Sequence, residues 1–204
     1  MALNHDKKLI FVHIPKTAGT SIYKALGFFD GRGLIGHRPI EEYKENYGEY
    51  WNRYLKFAVV REPIDRFISA YKFARTYENF WNSADPESHL PKHKHYELCN
   101  ECDINGYVNY LYENPGSHHI ATLPQSWFVK NKSGEIEVDY IAKYENLDSD
   151  LKKIGIDNIE KLNVSEPIRD ESILKLTRRS KNILHEIYES DYDLFYKENI
   201  LSYS

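Results

Sequence analysis

The chain has 204 residues, 41% of them hydrophobic and 28% charged, with a net charge of −4. That length can bury a core without disulfide staples, and the composition excludes disordered and fibrous classes. The acidic balance disfavours a globally basic nucleic-acid binder but leaves room for a local basic site, because local field and net charge are separate quantities.

Met1 to Lys8 is polar and the apolar run after it is short, so neither a signal peptide nor a stable membrane insertion is expected. The chain reads as cytoplasmic, or as a lumenal enzyme stripped of its anchor. Leu9-Ile10-Phe11-Val12 ends at a Pro/Gly loop and predicts a buried strand. Thr20 to Leu26 has helical character, with Gly27 as its stop. Leu55 to Val60 predicts a second buried strand. Pro63 is a good first helical residue, and Ile64, Phe67, Ile68 and Tyr71 share one face of a helix reaching about Ala74. Residues 75–103 are rich in Asn, His, Pro and Glu and are expected as a surface insertion. Asn105 to Tyr112 predicts a short helix. Ser126 to Val129 and Ile136 to Ala142 are strand candidates on either side of a polar turn. Asn146 to Ile154 and Glu171 to Tyr188 are expected as helices. The alternation predicts one α/β domain over residues 1–204, with a mainly parallel central sheet.

Two segments carry chemistry. His13-Ile14-Pro15-Lys16-Thr17-Ala18-Gly19-Thr20-Ser21 lies between a strand and a helix. The first amides of a helix lack internal partners, and its dipole welcomes an anion. Gly19 lets the backbone approach a ligand, Thr20 and Ser21 offer hydroxyls, and Lys16 adds a mobile charge. A Walker P-loop would need Gly-Lys-Ser/Thr, and here the lysine precedes the glycine. The second segment is Phe57-Ala58-Val59-Val60-Arg61-Glu62-Pro63, continued to Ser69 and Tyr71. Arg61 ends a buried strand, at the carboxyl edge where open α/β sheets bind ligands. A phosphate there could take a guanidinium fork from Arg61 and a hydroxyl bond from Ser69.

Both segments resemble the PAPS-dependent sulfotransferases (PAPS being 3′-phosphoadenosine 5′-phosphosulfate), in the branch of bacterial and Golgi carbohydrate sulfotransferases that includes heparan sulfate 2-O- and chondroitin-type enzymes. Residues 11–21 look like that family's 5′-phosphosulfate loop, and the strand with Arg-x-Pro and a later Ser looks like its 3′-phosphate motif. Gly36-His37-Arg38-Pro39, Pro124-Gln125-Ser126-Trp127-Phe128, Asp139 to Leu147 and Leu162-Asn163-Val164-Ser165 extend the resemblance. It implies a three-layer fold like that of the P-loop NTPases and transfer of a sulfuryl group from PAPS to an acceptor hydroxyl, on a carbohydrate. It also implies that Lys16, Thr17, Ala18, Gly19, Thr20, Ser21, Arg61, Ser69, Asn163 and Ser165 bind the nucleotide donor. It implies no metal requirement.

The acceptor must lose a proton, and histidine is the natural base near neutral pH. Of nine histidines, His37 is the leading candidate, because relatives carry a catalytic histidine in this stretch. His13 is second and could instead orient the loop. Lys16 is expected to stabilise charge in the transition state. Arg38, His118 and His119 are candidate acceptor contacts. His89, His93, His95, Cys99 and Cys102 hold ligand types that zinc prefers, but in no common finger spacing, and read as a polar loop with two reduced thiols. A P-loop-type nucleotide kinase and a nucleotide-binding interaction protein without catalysis are the alternative readings. Magnesium dependence separates the kinase from the sulfotransferase.

Overall fold

The computed structural model describes residues 3–27, 36–76, 95–160, 162, 168 and 170–197. The chain divides into two compact units: Met1–Glu62 with Pro124–Asn163, and Pro63–Leu123 with Val164–Ser204.

The first unit holds a four-stranded sheet in the order β1-β2-β3-β4. The strands are β1 (Leu3–Asn4), β2 (Leu9–Val12), β3 (Leu55–Val60) and β4 (Tyr140–Lys143). β1 runs antiparallel to β2, and the remaining pairs are parallel. Parallel strands are covered on both faces and therefore read as unbroken apolar runs. Ile10, Phe11, Val12, Phe57, Ala58, Val59, Val60 and Ala142 are accordingly fully buried. Between β2 and β3 the chain forms α1 (Gly19–Ala25), α2 (Ile40–Tyr47) and α3 (Glu49–Arg53). This is the α/β class with a central, mainly parallel sheet that the alternation predicts.

Ser126–Val129 is a helix, α7, and not a strand. A run of three apolar residues after a serine fits either state by periodicity. Here Trp127 N–H donates to Pro124 O, Phe128 N–H to Gln125 O and Lys130 N–H to Ser126 O, which closes the turn locally. The strand expected over 136–142 begins only at Tyr140. Ile136 instead makes an isolated antiparallel bridge with Lys130 across the polar turn. β4 leads into a 3-10 turn (Tyr144–Asn146) and α8 (Leu147–Lys152), as expected. The Asp150 carboxylate accepts from Lys143 N–H at 2.9 Å and pins the end of β4.

The second unit contains α4 (Pro63–Ala74), α5 (Tyr96–Glu101), α6 (Ile104–Glu113), α9 (Arg178–Ile187) and α10 (Glu189–Phe195). Its buried side chains include Phe67, Tyr71, Tyr107, Val108, Leu111, Leu184 and Tyr188. The predicted helix 171–188 is broken. Glu171–Leu174 is a 3-10 turn, and a new helix starts where the Thr177 hydroxyl caps Ser180 N–H at 3.1 Å. Of the expected surface insertion, 75–76 and 95–103 are described, and the latter stretch is not a surface loop: it holds a helix, with His95 and Cys99 buried. Tyr71 donates its hydroxyl to Cys102 O at 2.7 Å, and His95 Nδ1 pairs with the Tyr107 hydroxyl at 2.8 Å. Burial pushes the Cys99 thiol up to about 12 and raises that of Cys102, and both thiols are free. Among the described residues no three metal-ligating side chains gather, and no helix is long and apolar enough to cross a membrane. His89 and His93 lie outside the described residues.

Candidate active site

The first cradle grows from the end of β2. His13 follows the last strand residue, and its ring stacks on Phe11 and meets Tyr23 edge-on. The loop then closes over this ring. A Cβ on Gly19 would lie 1.8 Å from His13 Nε2, so only glycine fits at this close approach. Lys16 and Ala18 take positive φ values of 69° and 68°, an uncommon conformation for residues with a Cβ. The Thr17 side chain is buried, and its hydroxyl donates to Ile14 O at 2.8 Å. Ser21 is buried in α1, with its hydroxyl accepting from Leu162 N–H at 3.0 Å. Both hydroxyls therefore brace the loop from within.

Arg61 emerges just past β3, as the strand-end argument predicts. Its Nη1 donates to Lys16 O at 3.4 Å, which joins the two sequence motifs at one place. The guanidinium lies 4.4 Å from the centre of the Tyr144 ring, a cation–π arrangement. Its Nε is buried without a hydrogen-bond partner. Burial, then the Arg61 charge, lowers the Lys16 ammonium to about 8.

His37 also comes to this place. Its ring centre is 4.2 Å from that of His13, and its Nδ1 lies 3.5 Å from His13 O. The Tyr43 hydroxyl ties the two segments together: it accepts from His13 N–H at 3.1 Å and donates to Gly36 O at 3.4 Å. Burial, then His37, then Lys16 hold the His13 imidazolium well below its ordinary range, so His13 is neutral near pH 7. A base so weakened gains little driving force for taking an alcohol proton. His13 suits the role of a packed support, which leaves His37 as the better candidate base.

Ala18 and Gly19 form the turn into α1, with Thr20 in its first turn. Arg38 is exposed, 3.5 Å from Glu42 in an i,i+4 ion pair. Ser69 lies half-buried on α4, in the second unit. So do His118 and His119, on a turn that Arg66 and Tyr188 hold. Arg66, fully buried, donates to Ala121 O at 3.1 Å and to Leu123 O, and the Tyr188 hydroxyl donates to Thr122 O at 2.9 Å. His118 Nδ1 is 3.2 Å from Thr122 O, and His119 Nδ1 accepts from Ala121 N–H at 3.2 Å. Asn163 and Ser165 lie outside the described residues.

Three contributors carry no sequence signal of their role. Gln125, fully buried, accepts from Arg61 N–H and donates to Arg61 O, each at 2.8 Å. Glu145 accepts from Glu62 N–H at 2.7 Å. Tyr144 supplies the ring beside Arg61. Their segments are visible in the sequence as pieces of a resemblance, but nothing in their spacing says that they grip the end of β3.

The chain matches a model described as "Sulfotransferase family" over residues 1–197. It is 22% identical to carbohydrate sulfotransferase 11 of Danio rerio over 96% of this chain and 66% of that protein. It is 21% identical to the Rattus norvegicus protein of the same name over 96% of this chain and 66% of that one. With carbohydrate sulfotransferase 9 of Homo sapiens it shares 22% identity over 92% of this chain and 51% of that protein. The chain thus spans about half to two thirds of the length of these relatives. No solved structure matches it significantly. The match covers both motif loops and both units, and with their geometry it shows that the chain belongs to the sulfotransferase family.

Proposed function

We propose that this chain transfers a sulfuryl group from PAPS to a hydroxyl of a carbohydrate acceptor. One observation carries the reading most directly. Lys16 and Arg61, from the two motif loops, meet at the carboxyl end of the parallel strands, and the Arg61 charge helps to depress the Lys16 ammonium. A lysine and an arginine brought to one sheet edge favour an anion there. A nucleotide carrying phosphate groups at both ends suits that charge. The site residues fit the donor in type: a mobile ammonium for the phosphosulfate and a guanidinium fork for a phosphate.

In this mechanism Lys16, with the loop residues Thr17, Ala18, Gly19, Thr20 and Ser21, holds the 5′-phosphosulfate. Arg61 takes the 3′-phosphate. Sequence motifs alone add Ser69 to Arg61, Asn163 and Ser165 to the nucleotide, and Arg38, His118 and His119 to the acceptor. His37 accepts the acceptor's hydroxyl proton. The acceptor oxygen bonds to sulfur as the bond from sulfur to the 5′-phosphate oxygen breaks, and adenosine 3′,5′-bisphosphate leaves. Lys16 stabilises the charge gathering on the bridging oxygen, by analogy with in-line phosphoryl transfer. His13 stays neutral and packs against Gly19 and His37. The test is an acceptor screen with radiolabelled PAPS against glycans, phenols and lipids, run in a metal chelator. Label on a glycan is the expected result. Metal-dependent phosphoryl transfer from ATP, with no sulfuryl transfer, would replace this reading with that of a kinase.

A further inference from the structure

Parallel pairing reaches Val12↔Ala58 on one side of β3 and Val60↔Lys143 on the other. Arg61 and Glu62 lie beyond both, so their peptide groups must find partners outside the ladder. The Gln125 carboxamide binds both the N–H and the C=O of Arg61, at 2.8 Å each, much as a neighbouring strand would. Glu145 takes the next N–H, that of Glu62. Gln125 has no exposed surface, so it does not touch a bound ligand directly, whereas Arg61, whose peptide it binds, is part-exposed. Arg61 in turn needs such support. Its side chain is long and rotamer-rich, and each rotamer it explores in the free protein weakens its grip on an anion.

We propose that Gln125 is a positioning residue for the donor. It fixes the Arg61 backbone so that the guanidinium is already aimed, beside the Tyr144 ring and over Lys16 O, before the nucleotide arrives. This inference rests on the proposed function, in which Arg61 holds the 3′-phosphate. A role in folding alone would lower stability without changing how the protein tells one nucleotide from another. Pre-organisation of Arg61 predicts a loss that is specific to the 3′-phosphate.

The experiment compares affinities for adenosine 3′,5′-bisphosphate and 5′-AMP by calorimetry in wild type, Gln125→Met, Arg61→Ala and the double variant. Gln125→Met is expected to lower the bisphosphate-to-AMP preference by about tenfold, with AMP affinity nearly unchanged. In the Arg61→Ala background it should cost no further preference, because its target is gone. A folded Gln125→Met protein that keeps the wild-type preference overturns the proposal and leaves the proposed function standing. A wild type without preference overturns the proposed function and the inference with it. If Gln125→Met does not fold, amide exchange in the wild type decides. Arg61 N–H should be protected in the nucleotide-free protein, and protection that appears only on adding the bisphosphate would refute pre-organisation.

Discussion

Lys16 joins the site's electrostatics to its chemistry. Its folded value of about 8 lies below the ordinary 10.5, so between these two values the unfolded chain binds more protons. Stability should therefore rise with pH across that window. Ligand binding should run the other way, since an anion favours the ammonium. Affinity for adenosine 3′,5′-bisphosphate should fall as pH rises through about 8. Binding near that pH should take up protons, read as a dependence of the calorimetric enthalpy on buffer ionisation. Lys16→Arg keeps its charge and should flatten the profile; a wild type with constant affinity to pH 10 would contradict the assignment. His37 should behave differently. Its loss to Ala should cost about 10²–10⁴ in turnover, the usual range for a missing general base. Nucleotide affinity should stay nearly unchanged. Loss of binding in step with rate would remove His37 from the role of base. Arg61 and the two histidines are legible in the sequence because each sits at a strand end or beside a glycine, and Lys16 because it lies in the loop between a buried strand and a helix. What sequence does not show is that the His13 ring fills the loop from inside, which is a matter of packing.

At the level of elements, the loop between β2 and α1 depends on one glycine. Gly19→Ala would set a methyl 1.8 Å from His13 Nε2, so the ring or the loop must move. Overpacking of this kind costs about 1–3 kcal/mol, measurable by denaturant unfolding. Adding His13→Ala should recover most of the loss, since the smaller side chain leaves room; no recovery would place the strain elsewhere. α6 offers an independent check. The Asp103 carboxylate caps it, accepting from Gly106 N–H at 2.9 Å, and this bond holds the carboxyl below its ordinary range. Asp103→Ala should cost about 1 kcal/mol. Because the folded value is depressed, that difference should be present at neutral pH and vanish as the solution is made acid enough to protonate the carboxylate in the folded protein. Buried strands β2 and β3 are plain in the sequence, as parallel strands covered on both faces must be. Ser126–Val129 misleads because a serine and three apolar residues are too few to carry a period, and the break before α9 hides because a Thr cap inside a polar run resembles ordinary helix surface.

On the scale of the whole molecule, a chain of net charge −4 carries a cationic pair where two motifs 45 residues apart meet. The alternation of elements and the two motif segments are enough to read the fold class and half of the candidate site. The other half, Gln125, Glu145 and Tyr144, depends on chain crossings that no local spacing encodes. Two phosphate-binding positions should recognise one nucleotide, and titrating wild-type protein with adenosine 3′,5′-bisphosphate and with 5′-AMP at neutral pH measures this. Losing the 3′-phosphate contacts should cost on the order of 2–3 kcal/mol, or roughly 30- to 150-fold in affinity. Equal affinity for the two nucleotides would rule out a second phosphate position at Arg61.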